Sequence, residues 1–256
     1  MTMPKIFFFL LTAILLHTVA DAQLPEDVFR GEKNTYNLTL FESVVNRRPA
    51  TVSFYEKSRA RHPKADLIKF PIGFFEIDTT KIKPLFEGDR IQDEVLDMPL
   101  WVVNDAYGRD TITLRKEIEK KWLILDIWEE HCGPCIHSMN KWEQLLKQPD
   151  ANFQLIGLYS SFYPHRAAFE TRRKGFQSVQ VIGEAAAILS RIFLGANPSL
   201  GPSVWIKDGK LFGISQAMTL KEEDYTGILN GQIKAIPSYA IPDYARWKFD
   251  TVHKKN

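Results

Sequence analysis

Residues 122–128 read WLILDIW, a run of seven whose one ionisable residue is Asp126. An apolar run of strand length has no face to leave in water. It reads as a strand covered on both sides of a sheet, which requires helices above and below it. Four residues after the run comes Cys132, and then Cys135, which together are all the cysteine in the chain. From Cys135 onward, Met139, Trp142 and Leu145–Leu146 recur at three- and four-residue spacing, the mark of an amphipathic helix. Cys132-Gly133-Pro134-Cys135 therefore stands where a buried strand meets a helix N-terminus.

That junction suits thiol–disulfide exchange. A helix N-terminus presents unpaired N–H groups and the positive end of a dipole, and both stabilise a thiolate at Cys132. The thiolate is the attacking species. Gly133 and Pro134 keep the turn tight, so that Cys135 can resolve a mixed disulfide. Cys132 is expected to be the exposed nucleophile and Cys135 the more buried thiol. A structural staple explains the pair poorly, because a bridge closing so short a loop removes little chain entropy.

The N-terminal segment bears on redox environment. Lys5, the run IFFFLLTAILL and Ala20-Asp21-Ala22 make a basic region, an apolar core and a small-x-small cleavage site, with the cut expected after Ala22. The run falls short of the ~20 apolar residues of a comfortable membrane span. No cysteine follows it, which excludes a lipidated N-terminus. The expected product is exported and extracytoplasmic (periplasmic in a bacterium), and is not an integral membrane protein unless this segment is retained. A formal net charge of +2 argues against nucleic acid as the main partner. Arg47, Arg48, Lys57, Arg59, Arg61, Lys64 and Lys69 form a locally basic stretch, read as a solvated face.

Four segments follow: a signal peptide at 1–22, an N-terminal region of unassigned role at 23–83, a main domain at 84–236 and a C-terminal tail at 237–256. The N-terminal region offers strands at TYNLTLF, ATVSFYE and LIKFPIGFFEI. In the main domain, LWVVNDAYGRDTITL reads as a hairpin, FQLIGLY and SVQVI as further strands, and HRAAFETRRK and EAAAILSRIF as helices. PSVWI and LFGIS flank an Asp-Gly turn, and Thr219 to Glu222 reads as a capping box opening a last helix. Strands alternating with helices, then a hairpin and a helix, imply an α/β fold with a mixed sheet and helices on both faces.

LILDIWEEHCGPC resembles the active-site strand and loop of the thioredoxin fold. Gly201-Pro202-Ser203 before VWIKDGKLFG is similar to that family's cis-proline and terminal hairpin. Together with the upstream hairpin and the leader, residues 84–236 resemble the exported thiol–disulfide oxidoreductases of the TlpA/ResA type. The resemblance implies a thioredoxin-like mixed sheet flanked by helices, with a buried carboxylate at Asp126 and a conserved-type loop tryptophan at Trp128. It also implies a cis Pro202 that, with Gly201 and Trp128, forms the surface where substrate pairs. Asp126, buried and raised in pKa, would act as base toward Cys135. No cofactor is implied. The implied partners are a disulfide-containing protein substrate and, since the chain carries no second dithiol, a membrane-bound electron donor.

The chain departs from the family at two positions. His131 stands where a tryptophan usually precedes the first cysteine, and a protonated imidazole there would favour the Cys132 thiolate, while Glu129 and Glu130 would oppose it. Asn140 stands where the helix usually carries a proline, so a straighter helix is expected. The competing chemistry is a zinc or copper site built from His131, Cys132, Cys135 and His137. Adjacent residues point apart, however, and no second ligand pair exists. Covalent haem fails because Ile136 separates Cys135 from His137. A further alternative is a binding or assembly protein that keeps the fold without the catalysis.

Overall fold

The computed structural model describes residues 39–67, 69–70, 72–161, 163–195, 201–243 and 245. The expected signal segment, most of TYNLTLF and the end of the C-terminal tail lie outside the described residues.

The N-terminal region forms a small unit: α1 (Thr39–Val44), β1 (Val45–Pro49), α2 (Val52–Arg61) and β2 (Gly73–Ile77), with β1 and β2 antiparallel. The strand expected at ATVSFYE is corrected to helix. Thr51 caps α2 by accepting from the Phe54 N–H at 3.3 Å, and the helix formers from Glu56 to Arg61 outweigh the short alternation of Val52 and Phe54. GFFEI is a strand as read. The described residues before Gly73 are not part of it.

The main body follows with α3 (Asp93–Leu96), β3 (Leu100–Val103), β4 (Thr111–Ile112), α4 (Leu114–Glu117), β5 (Trp122–Trp128), α5 (Gly133–Leu146) and β6 (Phe153–Tyr159). Then come α6 (Ala167–Lys174), β7 (Val179–Ile182), α7 (Gly183–Leu194), β8 (Ser203–Lys207), β9 (Lys210–Ser215) and α8 (Glu222–Leu229). Seven strands form one sheet in the order β4-β3-β7-β6-β5-β8-β9. The three inner strands β5, β6 and β7 are parallel, and the flanking pairs are antiparallel. This is a thioredoxin-like mixed sheet flanked by helices, as the sequence implied. The β8–β9 hairpin turns through Asp208 and Gly209, both at positive φ (50° and 72°), as Asp-Gly turn chemistry requires. The last helix begins two residues later than the Thr219 cap implies: the Lys221 N–H donates to Asp224 Oδ2 at 2.7 Å, so Asp224 takes the capping role expected of Glu222.

Every residue of β5 is buried. The strand's alternation divides them: Leu123, Leu125 and Ile127 join the core that includes Ile188, Leu189 and Ile192 of α7. Trp122, Ile124 and Trp128 join the opposite core with Met139, Trp142 and Leu145 of α5. Asp126 shares the second face, by period two, and so lies on the α5 side of the sheet. α5 runs unbroken through Asn140.

Gly157 of β6 pairs in register with Gln180 of β7, and a Cβ at 157 would collide with the Gln180 side-chain amide. That amide oxygen accepts from Trp128 Nε1 at 2.7 Å. Gly157→Ala is therefore expected to lose about 1–3 kcal/mol by overpacking. Urea unfolding measures it, and a variant as stable as the parent would show that Gln180 moves aside at no cost.

Candidate functional site

Cys132 is the N-cap of α5, with Gly133 and Pro134 as the first two helical residues, where a proline's missing N–H is no loss. Cys132 and Cys135 form a disulfide, with Cα atoms 5.3 Å apart. Cys132 Sγ accepts from the Cys135 N–H at 3.3 Å, so the helix terminus is directed at this sulfur. Cys132 is partly exposed, and Gly133 and Pro134 are exposed, whereas Cys135 has no exposed surface. One sulfur can meet a partner and the other cannot.

Asp126 is fully buried. Its Oδ1 accepts from Ser203 Oγ at 2.5 Å and Ser138 Oγ at 3.0 Å, while Oδ2 has no hydrogen-bond partner among the described residues. Burial raises its pKa to about 8, against the opposing pull of the Ser203 and Ser138 hydroxyls. A neutral acid with two donors on Oδ1 carries its proton on Oδ2. Trp142 Nε1 donates to Ser203 Oγ at 3.0 Å and closes the network. Sequence reasoning missed both serines and Trp142's part. Signals existed: Ser203 follows Pro202 and pairs in register with Asp126, and Ser138 lies one helical turn beyond Cys135.

Gly201 backs onto the buried sulfur. A Cβ there would stand 3.1 Å from Ala217 Cβ and 3.4 Å from Cys135 Sγ, and its φ of +96° also favours glycine. The expected cis Pro202 is corrected: no peptide among the described residues is cis. The left-handed Gly201 turns the chain instead. The Gly201 N–H donates to Ile127 O at 2.9 Å and the Ile127 N–H to Pro202 O at 3.1 Å, which continues the β5–β8 pairing. Those groups bond the active-site strand and are not offered to an incoming chain. Trp128, expected at the substrate surface, lies inside the fold in this structure. It has no exposed surface and packs at 5.0 Å from the rings of both Tyr159 and Phe176, beneath the loop.

His131 is exposed, with Nε2 3.9 Å from Glu130 Oε1. Glu130 turns inward, and its side chain is 2% exposed. It pairs with Arg166 at 2.7 Å and accepts from Tyr159 Oη at 2.7 Å. Among the described residues no three His, Cys, Asp or Glu side chains converge as a metal site.

The acid's burial makes stability depend on pH. A folded pKa raised above the unfolded value means the native state keeps a proton that the unfolded chain has released. The contribution is present at low pH and is lost as pH rises from about 4 to about 8. Asp126→Asn, neutral throughout, should gain on the wild type across this window by at most about 1.4 kcal/mol per pH unit. Thermal unfolding from pH 5 to 9 measures the difference. Parallel curves would show that Asp126 ionises freely when buried.

No protein-family model matches the chain, and no curated protein sequence matches it. Solved structures do resemble it. Xylella fastidiosa PrxQ is 17% identical with a TM-score of 0.45, over 59% of this chain and 96% of that one. A candidate thiol:disulfide interchange protein DsbE from Chlorobium tepidum is 18% identical with a TM-score of 0.45, over 57% and 94%. A DsbF homologue from Corynebacterium diphtheriae is 12% identical with a TM-score of 0.40, over 59% and 99%. Likenesses of this size carry no argument about activity or partners, and the names belong to those proteins.

Proposed function

We propose that this chain is an exported thiol–disulfide oxidoreductase of the TlpA/ResA type that reduces protein disulfides. One observation carries the reading: a partly exposed Cys132 at a helix N-cap is bonded to a wholly buried Cys135, and β5 places a buried acid of pKa about 8 on the same side of the sheet. A staple needs no such acid. An exchange reaction does, because the buried thiol must lose a proton before it can attack.

In the reduced protein the Cys132 thiolate attacks one sulfur of a substrate disulfide. The Cys132–substrate bond forms as the substrate bond breaks, and the first substrate thiolate leaves and is protonated. The Asp126 carboxylate then takes the Cys135 proton, directly or through a water. The Cys135 thiolate attacks Cys132 Sγ, forms the intramolecular disulfide and releases the second substrate thiolate. Two electrons pass to the substrate in all; both released thiolates take their protons from solvent, and Asp126 returns the Cys135 proton to solvent. The oxidised pair is restored by two electrons from a donor, for which we propose a membrane-bound reductase outside the cytoplasm. Glu129 and His131, beside Cys132, are at least partly exposed and border the place where the substrate arrives.

The mature protein should catalyse insulin reduction, and inactivity with a proven accessible dithiol would overturn the general reductase. Cys135→Ser should trap mixed disulfides through Cys132, visible by non-reducing electrophoresis, and failure with every substrate tried would overturn the assigned roles. Resolution by the wild type should accelerate as pH rises through about 8, the pH at which half of Asp126 is ionised. Asp126→Asn should lose that limb and slow resolution by about 10²-fold or more. An unchanged profile would remove Asp126 as the base.

A further inference from the structure

Glu130 precedes Cys132 by two residues, which puts their Cα atoms within about 7 Å. Its carboxylate is nevertheless buried, between Tyr159 Oη and Arg166 Nη1, each at 2.7 Å. Burial keeps the Tyr159 hydroxyl well above its ordinary pKa, so it remains a donor. Arg166 also bonds Glu170 at 2.9 Å, and Glu170 bonds Arg173 at 2.6 Å. Acids and bases thus alternate from Glu130 to Arg173, and the chain of charges sums to zero. His165, packed among these groups with His62, has its pKa lowered to about 4 by burial, His62 and Arg166, and adds no charge at pH 7. The exchange chemistry described above uses none of these residues. A buried carboxylate next to a nucleophilic thiolate would oppose it, unless a cation cancels the charge.

We propose that the Glu130–Arg166 pair is a positioning device that ties the loop before Cys132 to the β6–α6 connection and, by cancelling charge beside the nucleophile, sets the reduction potential of the Cys132–Cys135 couple. The inference rests on the reading of this pair as a redox dithiol. Loss of the Glu130 charge leaves Arg166 in excess, which stabilises the thiolate and the reduced form, so the disulfide becomes the stronger oxidant. Loss of the Arg166 charge leaves Glu130 in excess and does the reverse. A merely structural pair would give no such opposition, because either loss would loosen the same loop.

The test compares the wild type with Glu130→Gln, Arg166→Gln, the double variant and Arg166→Lys. Two readouts at pH 7 need no substrate: equilibrium with glutathione, and the thiolate titration of Cys132. Glu130→Gln should shift the equilibrium with glutathione about tenfold toward the reduced protein, or about 30 mV, and lower the Cys132 pKa. Arg166→Gln should shift both in the opposite direction, and the double variant should lie between the singles. Arg166→Lys, which keeps the charge, should stay within threefold of the wild type. Should Arg166→Gln fail to fold, Glu130→Gln and Arg166→Lys decide the matter between them. A Glu130→Gln shift under threefold, two singles moving the same way, or Arg166→Lys moving as far as Glu130→Gln would each overturn the proposal. Because neither readout involves insulin, an inactive protein with opposed shifts would sink the reductase reading and leave this one standing.

Discussion

Asp126 occupies the middle of a strand with no exposed face, and two hydroxyls make that position tenable. An unpaired carboxylate costs several kcal/mol to bury as an ion. Here the acid stays neutral near neutral pH, and Ser138 and Ser203 satisfy one of its oxygens. Those serines come from different elements, α5 and β8, so meeting the need of one side chain fixes the helix and the hairpin strand against β5. Trp142 adds a third tie through Ser203, and its ring packs edge-on against Trp205, Tyr225 and Phe153. Ser138 and Trp142 therefore hold α5, which begins with the dithiol, against β5 and β8 by both polar and aromatic contacts.

The N-terminal unit is joined to the same end of the sheet. The parallel strands β5, β6 and β7 all run toward the dithiol end, and α7 begins where β7 finishes. Arg47 of β1 makes a two-pronged contact with Glu184 in the first turn of α7, both bonds at 2.7 Å. His62, which ends α2, lies with its ring 5.6 Å from that of His165, and Phe54 stacks 6.2 Å from Tyr163. Residue 166 follows directly and holds Glu130. The N-terminal unit thus abuts the segment whose Arg166 pairs with Glu130, two residues before Cys132.

Much of this was legible in the sequence wherever the signal was local. The β5 run, the three- and four-residue spacing of α5 and the Asp-Gly hairpin each carry their structure in consecutive residues. Asp126 was legible too, as a polar break in an apolar run. What escaped was set by distant partners. The positions of Ser203 after Pro202 and of Ser138 one turn beyond Cys135 hint at the site but do not name the carboxylate they bond, and nothing near Glu130 says that Arg166, thirty-six positions on, turns it inward. Elsewhere a short alternation misled at ATVSFYE, where a threonine cap and a series of helix formers prevailed. At Pro202 the peptide is trans, and the Gly201 before it is left-handed, which no local signal announced.

Two buried acids precede the dithiol in sequence, and their partners differ in kind. Asp126 has hydroxyl donors and no cation, so its environment favours a held proton that can be exchanged. Glu130 has the Arg166 guanidinium at 2.7 Å, and the two form an ion pair. The proton exchange proposed between Asp126 and Cys135 requires a pKa near the working pH. Cancellation of the Glu130 charge requires a partner that does not titrate, and arginine is the side chain that meets this condition. His131, next in sequence, stands exposed while Glu130 turns inward. Glu130 thus ties the segment before Cys132 to Tyr159 and Arg166, and His131 makes no such inward tie among the described residues.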